Sequence, residues 1–466
     1  MFSWSLFTWT WFRSRSAQLG SCLALLVVLV VTGSLHLYAI EPSTTGKQLD
    51  DEGAYLPPAL QAKRRSEYDW LPGRLPYSHR PPLTVAVYSN IIRVADARSL
   101  PEALTAIRQF QTFVLLGILV LSYIQGWLLG LGPGWSLFAP CLIAMAPRFG
   151  IYVHLAMSEL FCALLGAAGV SALLAFFRDF RARYLALAGL VFGISLLVRA
   201  SFKPFVAVLL PFLVAELVWR ERAWRHLRAP RVIARVLLPV LALTVGVLIA
   251  VGPQLATNQA RGNGLHISNN TWRNIEFGFR SRVPGSDDAS GISWAHMRAE
   301  WLRRAKTDEQ RELAAKRSTL EFLEAMPRSE IAARQLTKMA YRLVVDERTQ
   351  FEAARGNERF RPTADWIWHF EGAAVGLWIF TLFTGMLGFV VSFRRGPAWR
   401  VLFLFWAALL SGFVLVPTSQ RFVVVAVPVL CLGSAIGVQY VTKRLAEVGT
   451  GWRGRLRSYR PRPSGY

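Results

Sequence analysis

A hydrocarbon layer about 30 Å thick is crossed by roughly 20 consecutive apolar residues in a helix, and this chain repeats such a stretch many times. The stretches run near 19–40, 112–131, 136–147, 153–177, 184–199, 202–219, 235–253, 372–393, 400–416 and 422–441. The third is too short to cross upright, so it is either broken or shielded by its neighbours. The first follows Arg13 and Arg15, is longer than a signal-peptide core and lacks a clear small-residue cleavage site, so it reads as a retained helix. Composition agrees: 53% of the 466 residues are hydrophobic and only 18% are charged, against about 25% charged in soluble domains. A cytosolic enzyme, a secreted disulfide scaffold and a disordered chain are excluded. The sequence predicts an all-α polytopic membrane protein.

Basic residues in short loops set the orientation. With the N-terminus inside, the inside segments are 131–135, 178–183, 220–234, 394–399 and the tail from 442. Four of those five are Arg-rich: Arg178, Arg181 and Arg183; Arg220, Arg222, Arg225, Arg228 and Arg231; Arg394 and Arg395; and the tail from Lys443 to Arg462. Ten spans with both termini cytoplasmic satisfy the rule. The same loops account for the net charge of +24, leaving no reason to invoke nucleic acid. The four cysteines all lie in apolar runs, which argues against disulfides and metal clusters.

Two long segments then fall on the outer face. The first, 41–111, predicts helices lying along the membrane surface; its stretch 83–97 is amphipathic. The second, 254–371, predicts a small helical domain. Trp294, Met297 and Trp301 recur at helical spacing, Leu313, Leu320 and Leu323 follow, and Pro327 precedes another helical stretch from Ser329 to Val345. The expected organisation is a catalytic membrane module over 1–253, the outer-face domain over 254–371, three closing spans over 372–441 and a basic cytoplasmic tail over 442–466, disordered from 451.

Chemistry-bearing residues gather at the outer ends of the spans. Asp50, Asp51 and Glu52 stand together in the first outer loop, the last of them three residues before Tyr55. Three adjacent carboxylates repel one another, which raises at least one pKa and suits a base that takes a proton from a hydroxyl; a solvated acidic turn at a helix start is the other reading. Arg80 precedes Pro81-Pro82 at headgroup depth, as a phosphate ligand or a snorkelling anchor. Glu159 lies two turns into the fourth span, Arg199 and Lys203 bracket the turn between spans five and six, and Arg421 opens span ten. Charges at such depths are costly and are often functional; Lys203 reads as an interfacial anchor. No G-x-x-x-x-G-K-[ST] or H-E-x-x-H motif occurs, which removes support for an ATP-driven transporter or a zinc protease.

In chain order these features resemble the GT-C fold glycosyltransferases, most closely the dolichyl-phosphate-mannose–protein mannosyltransferase and aminoarabinose transferase branch. The family's D-E-x-x-Y pattern is matched by Asp51-Glu52-Gly53-Ala54-Tyr55, its P-P-L element by Pro81-Pro82-Leu83, and its S-E pair by Ser158-Glu159. An Arg ending an apolar span is matched at Leu197-Val198-Arg199. A helix ending in Pro with Asn five residues on is matched at Pro253 and Asn258, a later Pro and Lys at Pro327 and Lys338, and R-[YF] before a last span with Pro at Arg421-Phe422 and Pro428. The chain departs from the family at Gln254 and Thr257, where Trp and Arg are common.

The resemblance implies inverting transfer of a sugar from a polyprenyl-phosphate donor to a lipid, glycan or protein acceptor. The site would face the periplasmic side of the inner membrane. It makes Asp51 the general base, with Asp50 open as the alternative, and assigns Glu52 and Tyr55 to orienting the base or acceptor. Arg80, Arg199 and Arg421 would stabilise the leaving phosphate, with Glu159 and Asn258 in the substrate site. No cofactor is implied; with arginines available a divalent metal is optional, and the sequence carries no metal signature. A secondary transporter, or a related oligosaccharide ligase or polymerase, is the competing reading.

Overall fold

The computed structural model describes residues 15–38, 55–65, 83–199, 202–220, 230–260, 265, 267, 271–280, 297, 299–300, 303, 308–344, 371–415 and 421–458. Every regular element among them is helical. The first half holds α1 (Arg15–Tyr38), α2 (Leu56–Arg65), α3 (Leu83–Val94), α4 (Leu100–Leu128), α5 (Pro133–Met145), α6 (Pro147–Val153), α7 (Glu159–Asp179), α8 (Ala182–Val198), α9 (Lys203–Arg220) and α10 (Pro230–Ala260). After these come α11 (Thr271–Arg280), α12 (Asp308–Ala325), α13 (Arg328–Val344), α14 (Glu371–Ser392), α15 (Pro397–Leu415) and α16 (Arg421–Ser458).

Each apolar stretch read from the sequence coincides with helix over most of its length. Six helices among the described residues are long and apolar enough to cross a membrane, and α3, α5, α8 and α15 are apolar but shorter. The chain is an all-α polytopic membrane protein. α1 shows why water is not its solvent: Leu19, Leu23, Leu26, Val27, Val30 and Val31 are each half exposed or more. A stripe of that size on a helix is a lipid-facing surface.

Local sequence sets several boundaries. Ser99 caps α4 through a reciprocal box with Glu102, satisfying two of the helix's orphan donors. The short third span is broken. Ala146 is extended (φ −77°, ψ 113°) because a residue ahead of proline disfavours the helical region, and α6 starts afresh at Pro147. Span four was expected from residue 153, but α7 starts only at Glu159, after an irregular link over 154–158. The expectation of a disordered tail from 451 is also corrected, because α16 continues to Ser458. A helix already nucleated in an apolar span extends at little cost per residue, and Arg444 and Glu447, 3.0 Å apart, support the extension.

Close helix pairs are built on glycine. A Cβ on Gly189 would stand 2.1 Å from the Leu243 carbonyl oxygen, and one on Gly193 would stand 2.9 Å from that of Val247. Contacts on α10 advance with those on α8, Gly189 meeting Leu243 and Gly193 meeting Val247 and Ala250, so the two helices run parallel. On α14, a Cβ at Gly388 would stand 1.8 Å from the Gly433 carbonyl oxygen of α16. Small residues let membrane helices approach in this way. Gly388→Ala is expected to destabilise the chain by roughly 1–3 kcal/mol or more through overpacking. Gly252→Ala, which meets no atom within 4 Å, should leave the unfolding midpoint in detergent unchanged. Equal midpoints for the two variants would contradict the tight pairing.

The segment read as a helical outer-face domain contributes α11, α12 and α13. Arg273 pairs with Glu312 at 2.9 Å, Arg280 with Glu276 at 2.7 Å, and Lys338 Nζ donates to the Gly278 carbonyl at 2.9 Å. Trp378 Nε1 on α14 donates to the Leu343 carbonyl at 2.5 Å. The apolar spacing of Leu313 and Leu320 suggests a buried stripe, yet these side chains are 61% and 43% exposed. The buried face of α12 is Glu312, Ala315 and Thr319 instead, because an ion pair and small residues bring α12 close to α11. Met297 is fully buried, while Trp294 and Trp301 lie outside the described residues.

Candidate functional site

The site begins with the irregular link between α6 and α7. Non-helical backbone at this depth needs partners for its carbonyls, and α3 and α4 supply them. Arg108 Nε donates to the His154 carbonyl at 3.0 Å. Gln111 Nε2 donates to the carbonyls of Leu155 at 2.6 Å and Met157 at 3.2 Å, and to the Tyr88 hydroxyl oxygen at 2.8 Å. The Tyr88 hydroxyl in turn donates to the Met157 carbonyl. Arg108, Gln111 and Tyr88 are all buried, so the link is clamped and Ser158-Glu159 is presented at a defined position on the first residues of α7. Tyr88→Phe removes one donor while Gln111 still reaches Met157. About 1 kcal/mol of stability should go, visible as a small drop in unfolding midpoint.

Three distant parts of the sequence converge there. Glu159 Oε1 and Arg199 Nη1 are 2.5 Å apart, with side-chain exposures of 1% and 16%. Arg199 Nη1 also donates to Ser158 Oγ at 3.4 Å, and Ser158 Oγ lies 3.0 Å from the Tyr55 hydroxyl. Helix ends favour this charge arrangement, since the carboxylate opens α7 and the guanidinium caps the C-terminus of α8. A buried pair of this kind needs further hydrogen bonds to offset its desolvation, and Ser158 provides one.

Tyr55 is held from behind by a small second core. Leu56, Ala59, Tyr88, Ile92, Leu104 and Ile107 pack together, and the Tyr55 and Tyr88 rings meet edge-on with centroids 6.5 Å apart. Ser89 Oγ ties α3 to the Ala59 carbonyl of α2 at 3.1 Å, and Thr84 Oγ1 ties α3 to the Val198 carbonyl at 3.4 Å. The amphipathic stretch at 83–97 is thus the helix that braces the end of α8 carrying Arg199. The opposite end of the bundle carries the basic loops. Arg178 sits 4.5 Å from the Trp127 ring centroid, and Arg220 sits 3.1 Å from that of Phe180.

Of the residues singled out from sequence, Tyr55, Glu159 and Arg199 share this cluster. Asn258 is fully buried on α10 and accepts from Gln254 Nε2 at 3.0 Å. Thr257 Oγ1 bonds back to the Pro253 carbonyl at 2.9 Å. Lys203, at the start of α9, lies within electrostatic reach of Glu312 on α12. Asp50, Asp51, Glu52 and Arg80 lie outside the described residues. Arg421 opens α16 by its backbone, and its side chain lies outside the described set. Sequence reasoning missed Tyr88, Arg108 and Gln111. The available signal was an Arg and a Gln three residues apart near one end of an otherwise apolar helix. Among the described residues no three His, Cys, Asp or Glu side chains converge as a metal site.

No protein-family profile and no curated protein matches the chain. Among solved structures it is similar to the Archaeoglobus fulgidus oligosaccharyltransferase in complex with Zn and sulfate. Identity there is 15%, over 93% of this chain and 52% of that one, with TM-score 0.45. The same organism's oligosaccharyltransferase AglB, in complex with an inhibitory peptide and a dolichol-phosphate, gives 15% identity over 95% and 52%, with TM-score 0.46. ArnT from Cupriavidus metallidurans bound to undecaprenyl phosphate gives 14% over 90% and 78%, with TM-score 0.38. The chain spans about half the length of the oligosaccharyltransferase chains it matches. At such identities and scores the likeness assigns neither activity nor ligand.

Proposed function

We propose that the chain is a membrane glycosyltransferase that moves a sugar from a polyprenyl-phosphate donor to an acceptor on the outer face. The observation that carries this reading is the convergence of Tyr55, Ser158, Glu159 and Arg199 at one end of the helical bundle. Tyr55 stands four residues after Asp51, and four extended residues span at most about 14 Å. Tyr55 bonds Ser158, which Arg199 also reaches, so chain connectivity limits how far Asp51 stands from that cluster. The Arg-rich loop between α7 and α8 sits at their other end, which supports an outer-face site with both termini cytoplasmic.

The chemistry follows from the charges. Asp51 takes the acceptor hydroxyl proton, the acceptor oxygen bonds to the anomeric carbon, and the bond from that carbon to the phosphate oxygen breaks with inversion. The leaving group departs as polyprenyl phosphate, its negative charge met by guanidinium groups. Arg199 is assigned to that phosphate, held in place through Glu159; Arg80 and Arg421 are assigned beside it, with Glu52 and Tyr55 orienting the base. A donor that arrives through the bilayer already carries its leaving phosphate, so no nucleotide-binding domain is required.

Deleting the gene and comparing surface glycans and glycolipids by mass spectrometry tests the reading. One sugar should disappear and return on complementation. An unchanged profile would remove it.

A further inference from the structure

We propose that Ser158 is a positioning residue, its hydroxyl setting the acidic loop ahead of Tyr55 in register with the guanidinium of Arg199. The proposal rests on the lipid-linked donor reading above and adds a residue to it. Ser158 stands at the N-cap of α7, where a serine ordinarily turns its oxygen back to the backbone N–H groups of the first turn. Ser99 does so at the start of α4, in a reciprocal box with Glu102. Ser158 does not: its side chain makes no capping bond, and its own backbone is already helical (φ −79°, ψ −12°). The residue is fully buried, and its hydroxyl is turned to the site instead.

A hydroxyl offers one proton and two lone pairs, and Ser158 Oγ has a partner for each. Arg199 Nη1 donates to it from 3.4 Å. The Glu159 carboxylate only accepts, so the serine proton goes to its Oε2, at 3.5 Å. The second lone pair is left for the Tyr55 O–H, at 3.0 Å. The direction of each bond is thereby fixed. Glu159 Oε1 meets Arg199 Nη1 directly at 2.5 Å, so the guanidinium keeps its carboxylate when the hydroxyl is removed. Tyr55 instead loses the bond that ties it to the ion pair. What changes is the placement of the base relative to the phosphate, and a misplacement of about 1 Å costs up to about 10²-fold in rate. Binding of the phosphate alone does not depend on where the base stands.

The test uses the deletion strain described above, complemented with full-length variants at equal membrane levels, and reads the initial rate at which the missing sugar returns. Each variant is also purified in nanodiscs and its Kd for undecaprenyl phosphate measured. Ser158→Ala should slow the return of the sugar by about 10–10²-fold and leave the Kd for undecaprenyl phosphate unchanged. Tyr55→Phe removes the same bond from its other end and should slow the return by a similar factor. The double variant should be no slower than the slower single one, because groups acting through one bond are not additive. If Ser158→Ala fails to fold, Tyr55→Phe alone must show the loss of rate at unchanged Kd. A normal rate in either variant, losses that multiply in the double variant, or a Kd that weakens in step with the rate overturns the proposal and leaves Ser158 a brace of the ion pair. No missing sugar on deletion, or no binding of undecaprenyl phosphate by the unaltered chain, strikes the lipid-donor reading itself.

Discussion

Asp51→Asn is expected to lower sugar transfer by about 10²–10⁴-fold, the usual contribution of a positioned general base, with the unfolding midpoint unchanged. The amide matches the carboxylate in shape but takes up no proton near neutral pH. The anchors of this region are elsewhere: Tyr55 bonds Ser158, and Leu56 and Ala59 sit in the small second core. Because the substitution is isosteric, an unchanged unfolding midpoint separates a loss of activity from a loss of fold. Asp50→Asn separates the two registers of the acidic triplet. If Asp51 is the base, the Asp50 variant keeps most of its activity; full transfer by the Asp51 variant on a defined polyprenyl-phosphate sugar would sink the assignment.

Arg199→Met should be costly twice over. It strands Glu159, 1% exposed, without its cation, and breaking a buried pair from one side typically costs about 3–5 kcal/mol. It also withdraws the guanidinium assigned to the leaving phosphate. The two effects separate in the double variant Arg199→Met with Glu159→Gln. Neutralising both partners removes the stranded charge, so most of the unfolding midpoint should return, while donor use stays low. Lys203→Ala, at the start of α9, should affect donor KM far less. Recovery of transfer along with stability in the double variant would reduce the ion pair to a structural brace.

Much of the architecture was legible in the residue order. A helix in hydrocarbon satisfies its own backbone, so long apolar runs and proline positions suffice to locate spans. The break at Ala146-Pro147 and the helix after Pro327 follow from local rules of the same kind. The exceptions arise where long-range contacts override local pattern. α7 starts at Glu159 rather than near 153 because Arg108, Gln111 and Tyr88 take up the carbonyls of the preceding link. Leu313 and Leu320 are exposed because the face of α12 turned to α11 is the one carrying Glu312, Ala315 and Thr319, with Glu312 paired to Arg273.

The candidate site divides in the same way. Tyr55, Glu159 and Arg199 stood out individually, by charge at a span end or by spacing from an acidic triplet. Nothing in their sequence separations of about a hundred and of forty residues says that they touch, nor that Tyr88 and Gln111 set the link between them.

By itself, then, the order of residues determined a helical membrane chain, the places where its apolar helices lie, and which charged groups stand at their ends. Those properties depend on periodicity and solvent transfer, which neighbouring residues express on their own. The tertiary structure alone decided that a carboxylate opening α7, a guanidinium closing α8 and a tyrosine ahead of α2 form one cluster. Glycine-lined helix contacts set those registers, and their closeness is a property of two surfaces together that neither strand of sequence carries separately.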